Sequence, residues 1–339
     1  MNRKIAAAGL AAIGVGLSSG TATADTTLTF SSWLPWSHPV NTAIYIPWME
    51  GIEKASGGKI KFRRLPKPVA SPPAHLNAVR TGQADAGMSV HGYSPRRFAP
   101  YLFAEQPFIG DRATASSIAL WKTHVKFFAG KNYYRGVQLI GINTHGPGII
   151  HHRTKLILKP SDMKGQKVRT GGPIPRTIVT AWGGISIRQP APKSYELLST
   201  GVVDGITFPW ESVPSFRITN LVPFATIIPG GLYSSTHFMF ISRRKYEALS
   251  HADKKAIEGL SGEYFARLAG AGWNAVNKKG EDVAIAAGTK ILPAPAAVID
   301  AVKKLNVRFE ADYVARVKKA GIDGAAVIKY YKEETAKLS

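Results

Sequence analysis

From residue 27 to residue 241, short apolar runs recur along the chain, and most are followed by a stretch with helical spacing. The runs lie at 27–30, 59–65, 86–90, 137–142, 167–170, 205–208 and 237–241. Some alternate in polarity and others are apolar throughout, as half-buried and fully buried strands are. Residues 40–54 carry an apolar helical face. Ser37 and Pro39 suit its N-cap and an early helical position, and Ser56-Gly57-Gly58 ends it. Further helices are expected at 76–80, closed by Gly82, and at 118–128 and 175–182. Strands separated by helices predict parallel α/β sheets. Ser250-His251-Ala252-Asp253 has capping-box spacing and predicts one long Ala-rich helix reaching about residue 277. With 339 residues, and about 150 per domain, the chain should fold as two units. A hydrophobic fraction of 45% supplies both cores.

The N-terminus adds a compartment. Met1-Asn2-Arg3-Lys4 is a positive head, residues 5–17 are an apolar run, and Ala22-Thr23-Ala24 offers small residues to a signal peptidase. The pattern predicts a secretory signal cleaved after Ala24. The run is too short for a comfortable membrane span, and no other stretch approaches about 18 apolar residues. Gly16-Leu17-Ser18-Ser19-Gly20 matches a nucleophile-elbow pattern but sits inside that discarded leader, so it carries no weight. The chain has no Cys, which excludes disulfide scaffolds, cysteine nucleophiles and thiolate metal sites. Its formal charge of +22 raises nucleic acid, a membrane surface or a small anion as the partner. Export sets nucleic acid aside.

In open α/β sheets, ligands bind beyond the carboxyl ends of strands. The loops expected there are Trp33-Leu34-Pro35-Trp36-Ser37-His38, His91-Gly92-Tyr93, Thr144-His145-Gly146-Pro147-Gly148, Arg169-Thr170-Gly171-Gly172 and Phe208-Pro209-Trp210-Glu211. Together they form one aromatic, cationic cleft, with Arg169, Phe208, Trp210, Glu211, His145, Trp33, His91 and Tyr93 as its candidate ligand-binding residues. Arg169 ends an apolar strand just before a Gly pair, where its fork of donors could clamp a carboxylate. It is also one of 44 basic residues, most of which face solvent, and spacing alone leaves both readings open. Phe208 and Trp210 suit the core as well as the ligand. His151-His152 cannot easily hold one metal ion, because neighbours on a strand point to opposite faces. Gly270-Ala271-Gly272 is a fragment of a dinucleotide fingerprint placed inside a helix. No phosphate-binding loop, metal set or nucleophile–base spacing stands out, and no cofactor is expected.

Two segments carry a family resemblance: Ser161-Asp162-Met163-Lys164-Gly165-Gln166-Lys167-Val168-Arg169 and Gly201-Val202-Val203-Asp204-Gly205. His38-Pro39 and Gly82-Gln83-Ala84-Asp85 add to it in order and spacing. From about residue 27 to about residue 305, the chain resembles the extracytoplasmic solute receptors of tripartite ATP-independent periplasmic (TRAP) transporters, the DctP-like family. The segments Thr144-His145-Gly146-Pro147-Gly148, Phe208-Pro209-Trp210-Glu211 and Gly230-Gly231-Leu232-Tyr233 resemble one subgroup.

The resemblance implies an α/β, two-lobed, periplasmic-binding-protein-like fold with a hinge and a long connecting helix. After a signal peptide at 1–24, lobe I would comprise 25–146 plus 235–273, and lobe II 147–234 plus 274–339. It also implies a periplasmic receptor closing over an organic acid, with Arg169 pairing with the carboxylate, and delivering it to TRAP membrane subunits. Many acid-binding members place an Asn where Phe208 stands here. That departure favours a monocarboxylate with an apolar or aromatic body. Glu211 would fix a ligand hydroxyl, assist a bridging cation or form a hinge salt bridge. A secreted two-lobed enzyme acting on a small anion, and a basic surface-binding protein, are the rival classes.

Overall fold

The computed structural model describes residues 25–338; the signal peptide read at residues 1–24 lies outside them. Eleven strands make two sheets. The first contains β1 (Thr26–Ser31), β2 (Ile60–Arg64), β3 (Ala86–Val90), β4 (Val137–Thr144) and β10 (Thr236–Ser242), in the order β2-β1-β3-β10-β4. The second contains β5 (Ile149–His152), β6 (Lys167–Thr170), β7 (Ile185–Arg188), β8 (Gly205–Phe208), β9 (Phe224–Ile227) and β11 (Lys290–Pro293), in the order β11-β9-β5-β8-β6-β7.

All seven strand regions expected from the sequence are strands. The sheets, however, are mixed rather than parallel. β10 runs antiparallel to both β3 and β4, and β5 antiparallel to both β8 and β9. Each of these two is the strand with which the chain enters a sheet from the other one, at 145–148 and at 228–235. A strand arriving from outside is not bound by the βαβ crossover that makes its neighbours parallel. β5, β7, β9 and β11 were not anticipated. All are four residues long, too short for a period to show, and unlike the equally short β6 and β8 none was singled out as an apolar run.

The helices are α1 (Ile46–Ala55), α2 (His75–Arg80), α3 (Ala113–Phe127), α4 (Pro173–Ala181), α5 (Ser194–Ser199), α6 (Ser212–Ser215), α7 (Arg243–Glu247), α8 (His251–Gly259), α9 (Glu263–Ala286), α10 (Ala296–Lys318) and α11 (Gly324–Ala336). Helix α1 is entered through a wide π turn, Asn41–Tyr45. Pro47 clashes with a carbonyl one turn back in a regular helix, and the wide turn relieves this. The cap expected at Ser37 is instead His38, whose Nδ1 accepts the Val40 N–H at 3.3 Å.

The helix expected to run unbroken from residue 250 to about 277 is two helices. Ser250 does cap the first, its hydroxyl accepting the Asp253 N–H. The chain then turns at Gly262, whose φ of +65° only glycine adopts cheaply and whose N–H donates to Ile140 O at 2.7 Å. A Cβ there would meet the Trp121 ring at 2.9 Å.

Helix α9 continues beyond residue 277 and ties the two halves together. It packs on α3 and β4 beside the first sheet and on α6 beside the second. Gly270, read from sequence as a fingerprint fragment, lets the helix approach the Thr114 backbone, where a Cβ would sit 2.5 Å from Thr114 Cα. The C-terminal α11, expected with lobe II, packs on α3, and Tyr331 lies edge-on to Phe103 at 5.0 Å.

Candidate ligand-binding site

A cavity of about 580 Å³, its solvent-open part included, lies where the two sheets face each other. That is a common size for a small-molecule site. The carboxyl ends of β1, β3, β4, β6 and β8 all lead into its walls, which is why the loops picked from the sequence converge. Of the eight candidates, Arg169, Phe208, Glu211, His145, Trp33 and Tyr93 line it.

Arg169 is near the end of β6, between Ile187 of β7 and Ile206 of β8. It is 2% exposed. Its Nε donates to Gln189 O at 2.9 Å, and its guanidinium carbon lies 4.5 Å from the centre of the Phe208 ring. Among the described residues no carboxylate forms an ion pair with it. Burial pushes the guanidinium down from its ordinary range, while the Tyr93 and Tyr233 hydroxyls beside it act in the opposite sense. Arginine keeps its proton regardless, so a full positive charge faces the cavity without a protein counter-ion.

The walls are aromatic. Phe208 stacks on Phe216, with ring centres 5.5 Å apart and planes at 13°. Trp33 meets Tyr93 edge-on at 6.2 Å. His145, His237 and Trp273 form a third wall, the His145 ring lying 6.0 Å from His237 and 5.8 Å from Trp273. Burial pushes His145 down to about 4 and His237 to about 3, so both are neutral imidazoles near pH 7. His145 Nδ1 lies 2.8 Å from Gly146 O, which places its proton there and leaves Nε2 as an acceptor. Glu211 is 1% exposed, and burial lifts its carboxyl to about 7 against the opposing Ser215 and Ser212 hydroxyls.

Contacts cross the cavity mouth from loops of the first sheet to loops of the second. Arg188 Nη2 donates to Gly92 O at 3.0 Å, the Ala191 N–H donates to the Tyr93 hydroxyl at 3.0 Å, and His38 Nδ1 lies 3.5 Å from Glu211 Oε1. The first two are hydrogen bonds that hold the halves together over the cavity; the third is an approach too long for a good one.

Two candidates belong elsewhere. His91 is sandwiched between Tyr101 and Phe238, each ring centre 4.5 Å away and nearly parallel, with its nitrogens bonded to Thr236 and Tyr134. It is a satisfied core histidine behind the β3 end. Trp210 points away from the cavity, its ring edge-on to His151 at 5.1 Å. His151 in turn reaches Phe208 O through Nε2 at 3.2 Å.

Phe216, His237 and Trp273, outside every loop and motif singled out from the sequence, also line the cavity, as do His38 and Tyr233, which lie in such segments without being read as ligand contacts. His237 is the second residue of β10, and an antiparallel strand brings its amino end to the site; a search of carboxyl ends misses it. Trp273 comes from the middle of α9, and no local pattern marks it.

A two-lobed α/β molecule with an aromatic cavity and a buried Arg169 that has no ion-pair partner among the described residues has the form of a receptor for a small organic anion. The chain belongs to the bacterial extracellular solute-binding proteins, family 7 (DctP), whose pattern matches residues 30–315. It is 40% identical to a TRAP periplasmic solute-binding protein from Bordetella bronchiseptica that holds (R)- and (S)-mandelate. That likeness covers 93% of this chain and 100% of the other, with a TM-score of 0.90. A TRAP solute-binding protein of an unidentified marine microbe, in complex with metahydroxyphenylacetate, is 31% identical over 92% of this chain and 98% of its own, with a TM-score of 0.85. One from Rhodoferax ferrireducens with copurified benzoate is 27% identical over the same shares, also at 0.85.

Proposed function

We propose that this receptor binds a monocarboxylate with an aromatic body and presents it to the membrane subunits of a TRAP transporter, after export and cleavage following Ala24. The observation that carries the reading is Arg169, a buried cation with no protein counter-ion, set against a ring in an apolar cavity. Holding an unpaired charge out of water costs several kcal/mol. A ligand carboxylate removes that cost through a charge-assisted fork of hydrogen bonds. Phe208, Phe216 and Trp33 then offer ring faces and edges to the acid's body. The aromatic acids held by the similar receptors agree with this chemistry.

The ligand contacts both lobes, so it favours the closed form by its extra affinity for that form, which is the form the membrane subunits would read. Titration calorimetry with mandelate, benzoate and phenylacetate, beside aliphatic and dicarboxylic acids, tests the class. Arg169→Ala should lose at least about a hundredfold in affinity, roughly 3 kcal/mol. Its ligand-free melting temperature should hold or rise, because an unpaired buried charge has gone. Undiminished affinity in this variant would overturn the assignment.

A further inference from the structure

The cavity has a second polar end, away from the guanidinium. Starting at Arg169, the Phe208 ring comes at 4.5 Å, Phe216 stacks on Phe208 at 5.5 Å, and the His38 ring lies 5.4 Å from Phe216. His38 faces Glu211, so the chain of contacts from the carboxylate anchor to this pair passes through two aromatic rings.

Both members have an atom with nothing to bond. Glu211 Oε2 accepts from the Ser212 hydroxyl at 3.0 Å and the Ser215 hydroxyl lies beside the carboxyl, but Oε1 is buried without a hydrogen bond in this geometry. His38 Nδ1 accepts from Val40 N–H, which places the ring proton on Nε2, and Nε2 is also buried without a partner. The 3.5 Å between Nδ1 and Oε1 is too long to satisfy either group well. His38 is 6% exposed and Glu211 1%, so water does not solvate them as they stand.

The Glu211 side chain is not needed to fix its own loop. The Asn277 amide does that, accepting the Glu211 N–H at 3.1 Å and donating to His145 O at 2.7 Å. An acid and an imidazole left unsatisfied on opposite lobes, both lining the cavity, form a donor–acceptor pair awaiting one small group. A hydroxyl, which accepts one bond and donates another, is that group.

Building on the aromatic-acid reading above, we infer that Glu211 and His38 recognise a hydroxyl on the ring of the ligand, remote from its carboxylate, so that the receptor prefers ring-hydroxylated aromatic acids to their unsubstituted parents. Burial leaves the carboxyl titrating at about 7 and holds the imidazole neutral, with its pKa near 4, so the pair offers hydrogen bonds at little net charge to a neutral phenol. An unsubstituted ring would leave the groups unpaired, and a site built to bond a hydroxyl rejects the analogue without it. Because one partner comes from each lobe, the hydroxyl also ties the halves together.

Calorimetry on the whole mature protein decides it, using phenylacetate against its 3- and 4-hydroxy derivatives, and benzoate against 3-hydroxybenzoate. At least one hydroxylated acid should bind tenfold or more tightly than its parent. In Glu211→Leu, and independently in His38→Leu, that ratio should fall by tenfold or more. Parents binding as well as every hydroxylated acid, or a preference that survives in both variants, overturns this inference and leaves the carboxylate reading standing. If neither parents nor derivatives bind, the aromatic-acid reading falls and this inference with it.

Discussion

Phe208 shows how much one position decides. Its ring is shared, with the Arg169 guanidinium 4.5 Å from its centre and Phe216 stacked on it at 5.5 Å. A leucine there would keep most of the volume and the apolar surface but none of the ring geometry. Phe208→Leu should therefore weaken aromatic acids three- to tenfold, matching the roughly 0.5–1.5 kcal/mol of a ring pair. An aliphatic acid of similar size should change less. Equal losses for both kinds, measured by calorimetry, would show that the ring acts only as filler. Arg169 and Phe208 were legible from the sequence because strand ends and motif spacing are local. His91 was misread for the opposite reason: one of its stacking rings, Phe238, and both its hydrogen-bond partners, Tyr134 and Thr236, are distant in the chain. Trp210 follows Phe208 by two positions, yet the turn into α6 aims it at His151 instead of at the cavity.

Among the elements, α9 joins the site to the scaffold. Gly280 lets it lie directly on the peptide between Trp210 and Glu211; a Cβ at this position would meet Glu211 N at 2.7 Å and the Trp210 carbonyl closer still. The obstacle is backbone, so no rotamer change relieves it. Gly280→Ala should destabilise the protein by about 1–3 kcal/mol, the usual effect of overpacking. It should also displace the loop that carries Glu211 and Phe208, and so weaken ligand binding. Chemical denaturation beside calorimetry checks both effects, and an unchanged midpoint would sink the packing argument. The sequence told less about this element than about the strands. The capping spacing at Ser250 was real, but the stop at Gly262 is set by Trp121 and by Ile140 O, neither visible in a helical period. Strands of the first sheet are five to eight residues long and show their pattern, whereas the short β5, β7, β9 and β11 are held by neighbours in the second sheet.

At the scale of the whole molecule, folding hides most of the histidines from water, and that sets a pH window. Unfolded, each takes its proton near 6.5; folded, His38, His124, His145 and His151 take it only near 4, and His237 near 3, because burial penalises the imidazolium. Between those values the unfolded chain holds more protons, so this contribution to stability is present above about 6.5 and is lost as the pH falls towards 4. Two buried carboxyls, Glu105 and Glu211, act in the opposite sense. Each is lifted from 4.5 to about 7, so its contribution is present below about 4.5 and fades as the pH rises through 7. Five imidazoles outweigh two carboxyls where the windows overlap. Stability should therefore peak at about pH 7, stay nearly level towards 7.5 and fall steeply from 6 to 4.5. Urea unfolding at half-unit steps of pH measures this. A flat or rising profile towards acid would mean that the histidines packed at the lobe interface and in the aromatic core are solvated enough to ionise in the folded protein. The closed arrangement of His145 and His237 against Trp273 would then not be the one populated without ligand.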